Sequence, residues 1–292
     1  GNDFTSSGLA ANDQMTDSPT DNFCTWNPIY KSGDGAATGG TMANGNLHYT
    51  AVGDDGVAST FPIDVADSDG WYCEITEGRT SVVYTHYGLM QANRSDRTPR
   101  SGADVYAYYG HSGEKKEFGS DSSYGDTITA GDVVSIAIKN GAVWYAKNGT
   151  WQNSATEAEI EAGTTTNAAH TGLTDEWYIV TGKNAGTAPH FIATLNCGQH
   201  TFAHTVPDGL KKISTANLPD PTIEDPSAYF QPTIYSGNGG SNEINQTGNS
   251  TFEPDMIWLK ERSAGNHATI IDSVRGGNKG VYPSTTAAEY TE

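Results

Sequence analysis

Apolar and polar positions alternate most sharply between Asp126 and Asn153, DTITAGDVVSIAIKNGAVWYAKNGTWQN. Two Asn-Gly pairs, Asn140-Gly141 and Asn148-Gly149, divide this stretch into three short runs rich in β-branched and aromatic residues. A two-residue type I′ turn needs φ > 0 at both central positions, which Asn-Gly supplies. The pattern predicts Ile138 opposite Val143, Ala137 opposite Trp144 and Ile136 opposite Tyr145. Val134, Ile136, Ile138, Val143 and Tyr145 then share one apolar face, with Ser135, Ala137, Trp144 and Ala146 on the other. The second turn sets Ala146 opposite Trp151, so Trp144 and Trp151 become diagonal neighbours. This is the expected centre of an antiparallel sheet.

The rest of the chain reads as shorter strands separated by turns. Residues 1–59 are rich in Gly, Asn, Asp, Ser and Thr and suggest a turn-rich N-terminal segment, or a linker from a preceding module, with one strand over 46–52. Residues 71–76 (WYCEIT) alternate, with Trp71, Cys73 and Ile75 on one face, and 81–90 (SVVYTHYGLM) make a second strand. A polar loop over 91–103 carries Arg94, Arg97 and Arg100. A strand at 105–109 (VYAYY) leads into the charged hairpin HSGEKKEFG. Only 156–162 has a helical pattern, and 177–182 and 190–197 read as closing strands. Pro207, Pro219, Pro221 and Pro226 crowd one stretch, which sets a linker at 207–228 between a domain over 60–206 and a second β module over 229–292. That module is expected to have strands at 229–235, 256–260 and 267–273 and to continue past Glu292.

Composition agrees with an all-β chain: 34 glycines among 292 residues, with no sustained 3.6-residue period. Lys and Arg number 16 against 35 Asp and Glu, a formal net charge of −19. That balance argues against nucleic acid or an anionic membrane as a partner. No apolar run approaches the ~20 residues needed to span a bilayer, and no signal-peptide pattern is present. The chain opens on Gly1 rather than Met, as expected of a processed product or a piece of something longer. Cys24, Cys73 and Cys197 have neither CxxC nor Cys/His spacing, and their number allows one disulfide with one free thiol or three reduced thiols.

The order of motifs resembles a SPRY domain. The matching elements are DGWYCEIT, YGLM, VYAYYGHSGEKKEFGSDSSYGDTITAGDVVSIAIKNGAVWYAKNGTW, WYIVTG and IATLNCGQHTF. The most specific part is TAGDVVSIAI, NG, AVWYAKNG. With the GSDSSYGDT connection and STANLPDPTI, the chain is similar to SPRY-type modules of large virion proteins of tailed phages. FEPDMIWLKERS and IIDSVRGG are similar to the module that follows in those proteins. The resemblance implies an antiparallel two-sheet β-sandwich of jelly-roll type followed by the start of a second β module. It further implies a non-enzymatic tail-fibre or appendage protein, located in the virion or extracellularly. Its partners would be other virion proteins or copies of itself, and a host surface glycan or protein; no cofactor is implied. The alternatives are a polysaccharide depolymerase on a concanavalin-like fold and a bacterial surface adhesin.

Each chemical reading has a plainer rival. Glycan cleavage needs two carboxylates facing one another across a cleft, yet Glu74 is the one carboxylate inside a convincing strand and Glu77 has the opposite parity. Asp64, Asp67 and Asp69 (DVADSDG) offer oxygens for calcium but lack the alternate spacing and distant Glu of a calcium loop, and Asp also favours turns. His200 and His204 lie in a loop, so their spacing does not specify zinc, and no metal is expected. Trp144 and Trp151, with Tyr106 and Tyr108, form a candidate platform for a sugar or protein; the rival reading packs Trp144 beneath a loop. Finally, Cys73 and Cys197 stand where the resembled family carries aromatics, on strands that lie close together. A disulfide between them would compensate for the lost volume, as would inert thiols with bulk supplied by Trp71 or Phe191.

Overall fold

Asn140 and Gly141 have φ of 50° and 73°, and Asn148 and Gly149 have 48° and 78°, the paired positive values that type I′ turns require. The register follows: Ile138 lies opposite Val143, Ala137 opposite Trp144, Ile136 opposite Tyr145 and Ala146 opposite Trp151. Val134, Ile136, Ile138, Val143 and Tyr145 enter the main core, while Ala137 and Trp144 join a separate cluster on the other face. A one-residue slip would exchange the two sets, so turn chemistry and burial enforce one register.

The computed structural model describes residues 21–33, 40–51, 55–79, 84–93, 105–117, 120–183, 191–220 and 222–291. Its first strands are β1 (Trp26–Gly33), β2 (Thr41–Ala43), β3 (His48–Thr50), β4 (Asp55–Ser59), β5 (Ile63–Asp64), β6 (Trp71–Glu77) and β7 (Thr85–Gln91). Next come β8 (Val105–Tyr109), β9 (Glu114–Glu117), β10 (Ser120–Ser123), β11 (Val133–Lys139), β12 (Ala142–Lys147) and β13 (Thr150–Trp151). After helix α1 (Glu157–Ala162) follow β14 (Glu176–Lys183), β15 (Ile192–Asn196) and β16 (Lys211–Lys212), then β17 (Met256–Leu259), β18 (Thr269–Asp272), β19 (Lys279–Val281) and β20 (Tyr290–Thr291). One sheet runs β1-β4-β14-β7-β8-β9-β10 with β5 beside β14. The other runs β13-β12-β11-β6-β15-β3-β2 with β16 beside β6. Val57, Leu89, Tyr108 and Ile179 of the first meet Cys73, Ile75, Ile136 and Leu195 of the second in one core. The fold is an all-β, two-sheet sandwich, antiparallel except where β16 lies parallel to β6.

The sandwich takes in more chain than its motifs suggested. Residues 21–59 are not a linker: β1 and β4 extend the first sheet and β2 and β3 the second. Trp26 and Tyr49 are fully buried, and Trp26 Nε1 donates to the Ala193 carbonyl at 3.3 Å. β4 pairs with β14 and β3 with β15, more than a hundred residues later, and β1 and β2 join through them, so local alternation carried no sign of these strands. The other end also continues past 206, since Ile213 belongs to the core. Phe23 bridges antiparallel to Ser214, flanked by Cys24 N–H to the Ile213 carbonyl at 3.0 Å and Thr215 N–H to the Asn22 carbonyl at 2.9 Å. The first compact unit therefore ends at Leu218 and the second begins at Pro219, so 207–218 is sandwich rather than linker.

Helix α1 starts where Thr156 caps the Glu159 N–H at 3.2 Å and stops at Gly163, φ 65°. In the second unit, β17 to β20 form a sheet in chain order. The strand expected over 229–235 is absent; Pro232 lacks a ladder donor, and Tyr229 and Phe230 are exposed after a short 3₁₀ turn at Pro226–Ala228. The Arg94, Arg97 and Arg100 loop lies outside the described residues, as do 81–83 and His190 from the expected strands.

Candidate functional site

Trp144, Trp151, Tyr106 and Tyr108 do not make an exposed platform. Trp144 lies on the outer face of its sheet but is fully buried, packed with Tyr72, Ile160 of α1, Phe202, Val206 and Leu210. Its Nε1 donates to Glu159 Oε1 at 3.4 Å, and Trp151 packs half-buried against the same cluster. Tyr106 and Tyr108 belong to the other sheet and point inward, Tyr106 edge-on to Trp177 at 5.2 Å and Tyr108 stacked on Tyr145 at 5.5 Å. The helix and the segment after Cys197 cover the face that the hairpin alone leaves open.

The carboxylates of β6 are also committed. Glu74 points outward and accepts from Tyr72 OH at 2.9 Å and from the Ala203 and His204 N–H groups at 2.8 and 3.0 Å. Glu77 falls within the strand after all. It points inward and accepts from Thr85 Oγ1 at 2.5 Å, Tyr87 OH at 2.7 Å and Arg79 N–H at 2.9 Å. The two occupy opposite faces of one sheet, a placement that gives no shared cleft for acid and base.

Asp64, Asp67 and Asp69 shape turns instead of surrounding a cation. Asp64 accepts from the Ala66 N–H at 2.9 Å, and Asp67 Oδ1 accepts from the Asp69 and Gly70 N–H groups at 2.8 and 3.3 Å. Lys211 brings its own ammonium to 2.5 Å from Asp67 and 3.7 Å from Asp69, while lying 4.4 Å from the centre of the Trp71 ring. Burial raises the Asp67 carboxyl pKa, but the Lys211 bond and the backbone donors outweigh it and leave it below its ordinary value. Among the described residues, no three His, Cys, Asp or Glu side chains are grouped to hold a metal.

Cys73 and Cys197 are not bridged: all three cysteines are free, buried thiols. Cys24 Sγ lies 3.5 Å from Thr60 Oγ1, and Trp71 and Phe191 fill the core around Cys73 and Cys197. Burial pushes the Cys73 and Cys197 thiols well above the usual range.

A different aromatic set reaches solvent. In β8, Val105, Ala107 and Tyr109 have the opposite parity to Tyr106 and Tyr108, and Tyr109 pairs with His86 of β7. The His86 and Tyr109 rings lie 4.6 Å apart, Tyr109 and His111 6.0 Å, and His111 and Tyr84 4.5 Å. His86 is buried, Tyr109 and Tyr84 are half-buried, and His111 is exposed, so the run climbs from interior to surface. Lys116 holds Asp121 at 2.8 Å and sits 4.7 Å from the centre of the Tyr109 ring, while Ser112 donates to Glu114 at 2.5 Å. Burial, then the nearby Tyr84, Asp121 and Glu114, raise the Tyr109 hydroxyl pKa, so the ring stays neutral. Apolar rings beside charged donors and acceptors suit a ligand with one apolar face and a hydroxylated rim. The alternation within VYAYY is the sequence signal that separates Tyr109 from its neighbours.

The sandwich is similar to a SPRY domain. The SPRY domain of human HERC1 aligns over 60% of this chain and 99% of its own length, with 15% identity and a TM-score of 0.41. Residues 225–292 match a family described as a domain of unknown function (DUF7483). No curated protein matches the chain. The assignment as a two-sheet sandwich rests on the strand order and shared core, independently of that likeness.

Proposed function

We propose that this chain is a non-enzymatic structural module of a tailed-phage virion appendage, and that its sandwich recognises a host surface glycan or protein. The virion assignment rests on the sequence resemblance carried by GSDSSYGDT, STANLPDPTI and FEPDMIWLKERS. The non-enzymatic reading is supported by Glu74 and Glu77, whose oxygens are engaged by hydroxyl and backbone donors on opposite faces of β6. The observation that carries recognition is the run of Tyr84, Tyr109 and His111 beside the Lys116–Asp121 pair.

A glycan array probed with the full chain and with Tyr109→Ala tests this reading. Binding that falls at least about tenfold in the variant, the size of one lost aromatic contact of ~1.4 kcal/mol, supports it. Equal binding by both forms removes the ring run from the site. New reducing ends after incubation with a bound capsule polysaccharide would overturn the non-enzymatic assignment. Immunolabelling of purified particles tests the virion assignment separately.

A further inference from the structure

Strand pairing brings two carboxylates to the ring run that reaches solvent. Tyr109 lies opposite Glu114, Lys116 lies between Ala107 and Asp121, and Glu114 lies opposite Ser123. Directly paired residues share a face of a sheet, so Tyr109, Glu114, Lys116, Asp121 and Ser123 stand together. Lys115 pairs with Tyr108 on the other face and donates to the Ala169 carbonyl at 2.6 Å. Among the described residues, Lys116 is therefore the one lysine or arginine on this face of β8 to β10.

We propose that the ligand of this ring run is an uncharged sugar, with Glu114 accepting its hydroxyls and Glu114 and Asp121 together turning away uronic and sialic acids. The proposal rests on the recognition reading above and names the class of glycan. Lys116 donates to both Asp121 oxygens at 2.8 Å, so its ammonium is committed within the protein. Glu114 is half-buried and accepts from Ser112 Oγ at 2.5 Å, and among the described residues no cation pairs with it. A carboxylate offers about four lone-pair sites. Glu114 thus keeps acceptor capacity for sugar hydroxyls, in bonds strengthened by its charge.

The field at the rings has the matching sign. Burial comes first among the causes that raise the Tyr109 hydroxyl pKa, followed by Tyr84, Asp121 and Glu114. Both carboxylates therefore act on the polar tip of the ring even with Lys116 beside it. An acidic sugar docked at that tip meets the same two negative charges. A neutral one lays its apolar face on Tyr84 or the exposed His111 and turns its hydroxyls to Glu114. The formal net charge of −19 adds repulsion of acidic polysaccharide at longer range.

An array that carries each neutral glycan beside its sialylated or uronate-bearing counterpart tests the assignment. It is probed with the full chain and with Glu114→Gln at about pH 8 and about 20 mM salt, where screening is weak. The unaltered chain is expected to bind neutral members roughly two- to fivefold more tightly than their acidic counterparts, the range for one exposed charge pair. The gap should narrow at about 0.5 M salt. Glu114→Gln should weaken neutral binding and strengthen acidic binding, opposite changes that loss of folding cannot produce. Equal or tighter binding of the acidic members, or parallel changes of both in the variant, overturns the proposal and leaves recognition by the rings in place. Binding to no member, or binding that Tyr109→Ala leaves unchanged, overturns glycan recognition by these rings and this proposal with it.

Discussion

Asn148 donates its side-chain N–H to Asp132 Oδ1 at 2.6 Å, tying the second Asn-Gly turn to the strand at the start of the first hairpin. The other end of the same carboxamide accepts from Val133 N–H at 2.8 Å. One residue thus supplies the left-handed backbone of the turn and closes the mouth of the hairpin.

Asn148→Asp keeps a left-handed-tolerant residue but replaces the donor with a second carboxylate. Burial raises the Asp132 carboxyl pKa, and bonds from Thr129, Asn148 and Lys147 outweigh this and hold it below its ordinary value. The variant is expected to lose about 1–3 kcal/mol at pH 7. Most of that loss should disappear near pH 4, as the paired carboxylates share a proton. Urea denaturation at the two pH values measures the difference.

Tyr87→Phe removes one of three donors from the buried Glu77 carboxylate while leaving the ring in place. A hydrogen bond to a charged group is worth about 1.5–3 kcal/mol, and that is the expected loss by chemical denaturation. A change below 0.5 kcal/mol, roughly the lower limit for an ordinary bond, would show that Glu77 is satisfied without it.

His170 is buried edge-on to the Tyr106 ring at 4.9 Å and the Tyr145 ring at 6.0 Å. Burial, and then the charge of Lys115, push its pKa down from 6.5 to about 3. The fold excludes the protonated imidazole, so its contribution is complete above the unfolded value of 6.5 and is lost as pH falls toward 3. Between those limits it adds a slope of up to about 1.4 kcal/mol per pH unit. His170→Phe should flatten the dependence of stability on pH between about pH 6 and pH 4, read from denaturation midpoints.

All three thiols are 0% exposed. A water-soluble aromatic disulfide reagent should leave them untouched in the folded chain and titrate three thiols in denaturant. A count of one would show that two of the three are bridged, and peptide mapping would then decide whether they are Cys73 and Cys197.

The central hairpins were legible because Asn140-Gly141 and Asn148-Gly149 each encode a turn geometry within two residues, and alternation then assigns every neighbouring side chain to a face. The fate of Trp144 was not. Its face becomes interior only when Ile160 and Phe202, later in the chain, fold over it. The same distance hid β1 and β4, whose Pro28, Gly56 and fully exposed-looking Ile29 give no alternation until β14 pairs with β4. Tyr109 was legible by parity alone. Its neighbours Tyr84 and His111 reach it through strand pairing and a turn, which the linear sequence does not display.

The Phe23–Ser214 bridge places the start and finish of the sandwich side by side, running in opposite directions. Tension applied to Asn22 and Thr215 therefore acts as on a zipper, loading Thr215 N–H to Asn22 first and Cys24 N–H to Ile213 after it. The bonds are loaded one at a time rather than together, and only after them does the load reach β1 and β16. A shock along the chain is spent on this seam while the two sheets behind it stay closed.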